Sequence, residues 1–375
     1  MPQKLPFFAS DSKCFKVDIR GKNIIFIKNL LKNLYKKHNR EVYDISFSGI
    51  LSFYMILLSC NRCGEVKQKE DIMIDLHNHS NYSDGLYEPS KVVENAVRDG
   101  LSALALCDHD CTWGLAEAKR KADELKIDFV PGVELTVSVE GDKDHADEIH
   151  MLGLFVEPSA HLEDIHARIK QSKDTFSYEL ADAMRKHRGL PVDVDDMRKY
   201  FHGAISMGAF GEYMVQKGLI QKFSDRKKIT KELIAEGKLA GKPEFGISAE
   251  EAIEAIHGAG GFAILAHPYR MKLEDKVLFE RIKEYKAKGL DGLECYYKKY
   301  KEDEAEKIKK SLQIASILGL LVSGGADYHR DSSKGRFQNG GEIPDQVLAD
   351  LKQARIVRNA EYQKRLVASF GRVRE

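Results

Sequence analysis

The sequence predicts an α/β protein, a barrel or doubly wound sheet of parallel strands joined by helical crossovers and carrying a helical insertion. Three observations predict it. Short apolar runs alternate with stretches of helical periodicity. From about His161 to Gly246 the strand signal disappears and only helical stretches and turns remain. Side chains able to bind metal ions recur where successive strands end, the face on which a parallel α/β sheet gathers its chemistry.

The first strand is Ile72–Leu76, followed by a loop and a helix at Glu88–Asp99. In that helix Val92, Val93, Ala96 and Val97 recur at helical spacing, with Pro89 in the first turn and Gly100 past the end. Ser102–Cys107 is the next strand and Gly114–Leu125 the next helix. Phe129–Val139 is a third, longer strand broken by Pro131-Gly132, and Ile149–Val156 a fourth. The insertion contains helical stretches at Glu163–Lys186, Ala209–Lys217 and Asp225–Glu236. Alternation then returns with helix Ala249–His257, strand Phe262–Ala266, helix Lys276–Lys288, strand Gly292–Tyr296, helix Asp303–Leu318 and strand Leu320–Ser323. Beyond Gln338, Pro344–Ala354 and Glu361–Val367 read as amphipathic helices packed on the outside of the sheet. The expected domains are an N-terminal extension (1–71), a catalytic barrel (72–338) with the insertion at 161–246, and C-terminal helices (339–375).

Composition narrows the function. With 375 residues, 43% hydrophobic and 31% charged, the chain can bury a sizeable core, and a net charge of +1 argues against a dedicated nucleic-acid wrapper. Six cysteines are too few for a disulfide scaffold, so a reducing, cytoplasmic setting is expected. The segment before residue 72 differs from the rest: it is Lys-rich, then apolar from Ile45 to Ser59, then Cys60. About 15 apolar residues match a signal-peptide core and fall short of a membrane span. Three readings stand: translation from Met73, a lipoprotein signal anchored through Cys60, or a folded extension. Cys60-Asn61-Arg62-Cys63 has no partner motif and reads as two incidental thiols.

The metal-capable residues are His77 and His79 after the first strand, Asp84 in a Ser-Asp-Gly turn, His109 after the second strand, Glu134 in the third, His150 at the fourth, His267 after the fifth, and Asp327 and His329 after the last. In an extended segment His77 and His79 project to the same side and can reach one ion. Imidazole and carboxylate without thiolate suit zinc, manganese or iron. Nine such residues could hold two or three ions if a carboxylate bridges one pair, with Glu134 the candidate bridge. Taken singly, Asp84 also fits a turn and Asp327 a helix N-cap. Cys107 falls in the apolar strand and reads as core. His38, His145, His161, His166, His187, His202 and His257 carry no ligand pattern and read as surface or structural.

Asp75-Leu76-His77-Asn78-His79, Ser83-Asp84-Gly85, Cys107-Asp108-His109-Asp110, Gly132-Val133-Glu134, Ile149-His150, Ala266-His267-Pro268 and Gly325-Ala326-Asp327-Tyr328-His329 together resemble the PHP (polymerase and histidinol phosphatase) family. The likeness runs from about Ile72 to Gln338. It is strongest to the branch acting on nucleoside 3′,5′-bisphosphates and the 5′ ends of short RNA.

The resemblance implies a distorted (β/α)7 barrel with a helical insertion and two or three divalent ions (Mn, Zn or Fe) at one face. His77, His79, Glu134 and Asp327 would hold the first ion, Glu134, His150 and His267 the second, and Asp84, His109 and His329 the third. Glu134, Asp327 and His267 are the expected catalytic residues and Arg270 the expected phosphate contact. The expected activity is hydrolysis of phosphate esters of nucleotides or nucleic-acid ends, an exonuclease-like or phosphatase reaction in which paired ions supply the nucleophile and a sink for charge. The expected partner is a small phosphorylated nucleotide or short oligonucleotide, without stable duplex binding and with no known protein partner. In the insertion, Ser206-Met207-Gly208-Ala209 stands where relatives of this branch carry Arg-Pro-His. That difference keeps a histidinol-phosphatase-type activity as the alternative, with a non-catalytic metal-bound accessory domain as a third reading.

Overall fold

Seven strands are hydrogen-bonded side by side in chain order. They are β1 (Met73–Asn78), β2 (Leu101–Leu106), β3 (Asp128–Ser138), β4 (Glu148–Leu154), β5 (Phe262–Leu265), β6 (Gly292–Tyr297) and β7 (Leu321–Gly325). A computed structural model of the chain describes residues 73–138, 148–241, 246–297, 299, 303–331 and 343–371. The N-terminal segment, with Cys60 and Cys63, and His145 lie outside the described residues.

The sheet nearly closes. Asn78 bridges Tyr328 in parallel fashion, His79 N donates to Tyr328 O (2.8 Å) and Tyr328 N to His77 O (3.1 Å), so the ends of β1 and β7 meet. Gly325 makes this approach possible: a Cβ there would stand 2.2 Å from His77 Cβ.

The strands are not all parallel. β4 runs antiparallel to both β3 and β5, while the remaining neighbours are parallel. Apolar alternation cannot distinguish the two senses, because a strand buried on both faces reads the same in either direction. β3 is also continuous rather than broken at Pro131-Gly132. Pro131 pairs with Leu106, and past it the strand turns from β2 to its antiparallel partner β4.

Crossover helices α1 (Pro89–Arg98), α2 (Leu115–Leu125), α7 (Ala249–Gly258), α8 (Asp275–Ala287) and α9 (Glu304–Leu318) pack their apolar faces on the outer wall. α1 starts with Pro89, which fits a first turn because its missing N–H would have no helical partner there. The insertion comprises the end of α3 (Ala160–Arg188), α4 (Val194–Met197), α5 (Met207–Gln216) and α6 (Phe223–Ala235). α3 is capped by Ser159, whose hydroxyl accepts from Leu162 N, and ends at Gly189 in the left-handed region. Its 29 residues extend about 43 Å, long enough to serve two cores. Ile165 and Ile169 pack on the barrel wall, whereas Phe176, Leu180 and Met184 join Phe201, Phe210, Met214 and Leu233 in a core belonging to the insertion.

The C-terminal region departs from expectation: in place of two helices on the outside, one helix, α10 (Asp345–Gly371), closes the barrel's far end. Val347, Leu348 and Leu351 share a cluster with Ile74, Leu76, Ala103, Val130 and Ile264. Lys352 pairs with Asp128 at the start of β3, and Arg358 pairs with Asp291 and donates to Gly261 O (2.7 Å), all opposite the histidine-bearing end. Arg358 also lies over the Phe262 ring, 3.8 Å from its centroid. Among the described residues no helix is long and apolar enough to cross a membrane.

Because Leu351 is fully buried in this seal, Leu351→Ala should lower the free energy of unfolding by about 3 kcal/mol. A urea titration followed by circular dichroism checks this; an unchanged midpoint would show that α10 does not seal the barrel.

Candidate metal centre

The ends of β1 and β7 supply four of the nine candidates, His77, His79, Asp327 and His329. The β1–β2 register slips between Asp75 and Asn78, consistent with a bulge that turns His77 inward. Asp75 fixes it, its Oδ1 accepting from His77 N (3.2 Å) and Ala326 N (3.0 Å). His109 and Glu134 meet through an isolated parallel bridge just beyond the β2–β3 ladder. His150 lies near the start of β4, and because β4 is reversed that start faces the same mouth. His267 and Asp327 adopt left-handed backbone conformations (φ 30° and 51°), uncommon for residues with a Cβ and a mark of positions fixed by their surroundings.

All nine ligand candidates converge. Glu134 is the hub: its Oε2 is 3.2 Å from His77 Nε2, 3.3 Å from His79 Nε2 and 3.2 Å from His109 Nδ1, and its Oε1 is 3.1 Å from His150 Nδ1 and 3.0 Å from His267 Nε2. Asp327 Oδ1 is 3.3 Å from His79 Nε2 and 3.9 Å from His77 Nε2. Asp84 Oδ1 is 3.1 Å from His329 Nε2 and 3.8 Å from His109 Nε2.

Three groups have ligand atoms close enough to share an ion: His77, His79 and Asp327; His109, Glu134 and His150; and His79, Asp84, His109 and His329. His109 thus stands between the second and third groups, and His267 reaches the second through Glu134. The first group is fully buried, whereas Asp84, His109 and His329 are only partly covered.

Donor chemistry fits divalent ions. His77 Nε2, His79 Nε2, His109 Nδ1, Asp84 Oδ1 and Glu134 Oε2 are buried without a hydrogen-bond partner although they face one another. Buried polar atoms are costly unless paired, so a cluster of them aimed at a common space suits a cation. Charge agrees. Burial disfavours ionisation of Glu134, Asp327 and Asp84, yet the surrounding cations hold all three carboxyls well below the usual range; Lys299 and His329 act on Asp327, His77 and His150 on Glu134. Burial also pushes His109 and His267 down to about 3, leaving neutral rings with a lone pair to give. At His77 burial pushes the same way, but Glu134 and Glu294 outweigh it and raise the ring well above the usual value. A cage that draws a proton onto a buried imidazole will draw a metal cation more strongly.

Several contributors lay outside the predicted site set. Glu294 accepts from His77 Nδ1 (2.8 Å) and from His267 N (2.7 Å), presenting His77 Nε2 to the cage. Tyr297 donates to Asp327 Oδ2 (2.9 Å), and Lys299 Nζ lies 3.1 Å from the same oxygen. A Glu with inward parity on β6 was the available signal for the first. For Lys299, one of several lysines after β6, no sequence signal existed. Arg270, on the 3₁₀ turn Pro268–Met271, reaches the rim with Nη1 3.6 Å from Asp327 Oδ2. His166 is buried and donates from Nδ1 to Asp110 O (2.8 Å), a structural contact.

Comparison with known proteins agrees with this picture. A family described as PHP domain matches residues 75–240. A 5′-3′ exoribonuclease of Haemophilus influenzae is 32% identical over 256 residues, covering 68% of this chain and 89% of that protein. A 3′,5′-nucleoside bisphosphate phosphatase of Chromobacterium violaceum is 30% identical over 272 residues, covering 70% and 89%. A solved structure described as a metal-dependent phosphoesterase from Bifidobacterium adolescentis superposes with a TM-score of 0.59 at 27% identity, covering 74% of this chain and 94% of that one.

Removing the carboxylate that orients His77 should weaken metal binding. Glu294→Ala is expected to lower the affinity for the tightest ion by about 10- to 100-fold. Competition with a chelating dye reads this directly, and wild-type affinity would assign Glu294 a packing role only.

Proposed function

The chain belongs to the PHP domain family and is a metal-dependent hydrolase of phosphoester bonds, and from that premise we propose that it removes phosphate from nucleoside 3′,5′-bisphosphates or from the 5′ ends of short oligonucleotides. The observation that carries the proposal is the nine-residue cage around Glu134: eight of its members form three groups of ion-binding dimensions, and the ninth, His267, lies 3.0 Å from Glu134 Oε1. Three ions are proposed, held by His77, His79, Glu134 and Asp327; by Glu134, His150 and His267; and by Asp84, His109 and His329. Manganese, zinc and iron all suit this donor set. The named substrates of the two relatives, a nucleoside bisphosphate and RNA, support the substrate class.

When bound, paired divalent ions supply a nucleophile at neutral pH and stabilise charge on the transferring phosphoryl group. The side chains do the rest. Glu134 and Asp327, buried and held ionised, keep the cage negative and fix the spacing of its members. Arg270 and Lys299, both half exposed, approach Oδ2 of Asp327 from the solvent side. They are placed to take the non-bridging oxygens of an entering phosphate, and Tyr297 keeps Asp327 oriented as they do so. Small-molecule phosphatase activity of the histidinol type remains the second reading. It is favoured by the insertion's uncharged Ser206-Met207-Gly208-Ala209 run, which stands beside Asp84.

Two outcomes are expected. His77→Ala combined with His79→Ala should abolish metal-dependent phosphate release, assayed in parallel on adenosine 3′,5′-bisphosphate, a 5′-phosphorylated dinucleotide and histidinol phosphate; full activity in the double variant refutes the site. In the parent chain, preference for histidinol phosphate would refute the nucleotide reading alone. Arg270→Ala and Lys299→Ala should each raise KM by about tenfold or more with a smaller change in kcat, the size expected for one charge-assisted hydrogen bond. Steady-state kinetics on the best of the three substrates would settle this, and an unchanged KM in both variants would remove the rim cations from substrate binding.

A further inference from the structure

We infer that Gly208, in the first turn of α5, is a positioning residue for Asp84, and that the helical insertion thereby determines whether the outer ion site forms. The inference rests on the reading that Asp84, His109 and His329 hold an ion.

Contact between the two residues is closer than any side chain would permit. A Cβ at Gly208 would lie 1.9 Å from Asp84 Oδ2, 2.9 Å from its Cγ and 3.0 Å from its Cβ. The backbone of α5 is therefore the wall against which the carboxylate rests. With Oδ2 against that wall, Oδ1 points to His329 Nε2 at 3.1 Å and His109 Nε2 at 3.8 Å.

Neither side can retreat. Asp84 sits in a turn closed by Ser83 N and Gly85 N, which both donate to Ser80 O (3.0 and 2.9 Å), and Leu86 N donates to His329 O (2.9 Å). Buried Asp108 grips the same turn, accepting from Ser80 N and Ser80 Oγ (2.6 Å each) and from Ser83 Oγ (2.7 Å). On the other side, Ser206 Oγ caps α5 by accepting from Ala209 N (3.0 Å), and Ala209 and Phe210 are fully buried in the insertion's core. Glu212 of α5 pairs with Arg330, next to His329, and His202 N donates to Asn81 O (2.8 Å). A methyl group at 208 would therefore expel the carboxylate from its place.

The substitution has a useful sign. In a helix interior Ala is favoured over Gly by roughly 1 kcal/mol, and at 208, in the first turn of α5, the exchange should not weaken the helix taken alone. Any loss must come from the contact with Asp84. The outer site would lose its ligand, while the buried group of His77, His79 and Asp327, which meets Asp84 only through His79 (Nδ1 3.9 Å from Asp84 Oδ1), would keep its ion.

The test is metal content and affinity of the full chain, measured by equilibrium dialysis against Mn2+ for the parent and for Gly208→Ala, Asp84→Gly, the double variant and Gly258→Ala. Gly258 is the control, since a Cβ there meets nothing within 4 Å. Gly208→Ala and Asp84→Gly should each lose one Mn2+ per chain or bind the weakest ion at least tenfold less tightly, with the remaining ions and Gly258→Ala unaffected. The double variant, which lacks the atoms the methyl would strike, should match Asp84→Gly in metal content and in thermal unfolding of the metal-free chain. Loss in Asp84→Gly with parental binding in Gly208→Ala overturns the role of Gly208 and leaves the outer ion standing. No loss in either overturns the outer ion and this inference with it. Loss of all ions in Gly208→Ala, or a fold that the double variant does not restore, makes the glycine merely structural and also overturns the inference.

Discussion

One carboxylate, that of Glu134, lies within 3.3 Å of five imidazoles and is buried from solvent. A lone ionised carboxylate in such a place would be strongly disfavoured, and it is tolerated because positive charge gathers on it, Glu134 and Glu294 together outweighing burial to raise the His77 ring well above its usual value. Divalent cations suit the arrangement, since the unpartnered ring and carboxylate atoms face a common space. The two Glu134 oxygens divide the rings into sets, with His77, His79 and His109 on one and His150 and His267 on the other. A bridging carboxylate between two ions requires just such a division.

The topology exists to make that convergence possible. Rings from β1, β2, β4 and β5 must reach a residue in β3, which a nearly closed sheet of seven strands permits and a flat one would not. Reversal of β4 is part of the solution. It lets β3 and β4 run on together as an antiparallel pair, with Thr136 opposite His150, and brings an early residue of one strand beside the late residues of the others. α10 closes the opposite end with apolar side chains, so the interior is a packed core with a polar mouth.

Much of this was legible in the sequence because it is written locally. His77-Asn78-His79, Asp108-His109-Asp110, Ala266-His267-Pro268 and Gly325-Ala326-Asp327 each follow an apolar run, and a strand end needs no tertiary information to be recognised. The direction of β4 was not legible, since period and composition are blind to strand sense. Glu294 was seen as part of a strand but not as the partner of His77, because the pairing spans 217 positions. The single C-terminal helix was read as two helices on the wall, its amphipathic face being equally suited to a wall or to an open end. Gly208 looked like the loss of an Arg-Pro-His run, since sequence reports which side chain is missing but not which backbone has moved into the space.

Beneath the ligand candidates lies a second tier of buried acids, and it explains how the cage keeps its shape. Asp75 holds the backbone of His77 to that of Ala326, Asp108 holds the turn that carries Asp84, and Glu294 holds His77 and His267. Asp110 accepts from Thr136 N (2.6 Å) and is paired with Lys173 of α3 (2.8 Å), which fixes the segment after His109 against β3 and the insertion's long helix. The segments carrying His77, Asp84, His109, His267 and Asp327 are therefore held by buried carboxylates bound to backbone or side chain rather than aimed at the mouth. Two consequences follow together. These contacts make the cage rigid without help from the ions, so it is preorganised for them. Among these acids Asp110, which burial would push up but Lys173 and His109 draw below the usual carboxylate range, keeps a charged anchor beneath the His109 segment. Stability and affinity thus draw on the same side chains, and for that reason a loss of one acid of this tier should be felt at the metals before it is felt in the fold.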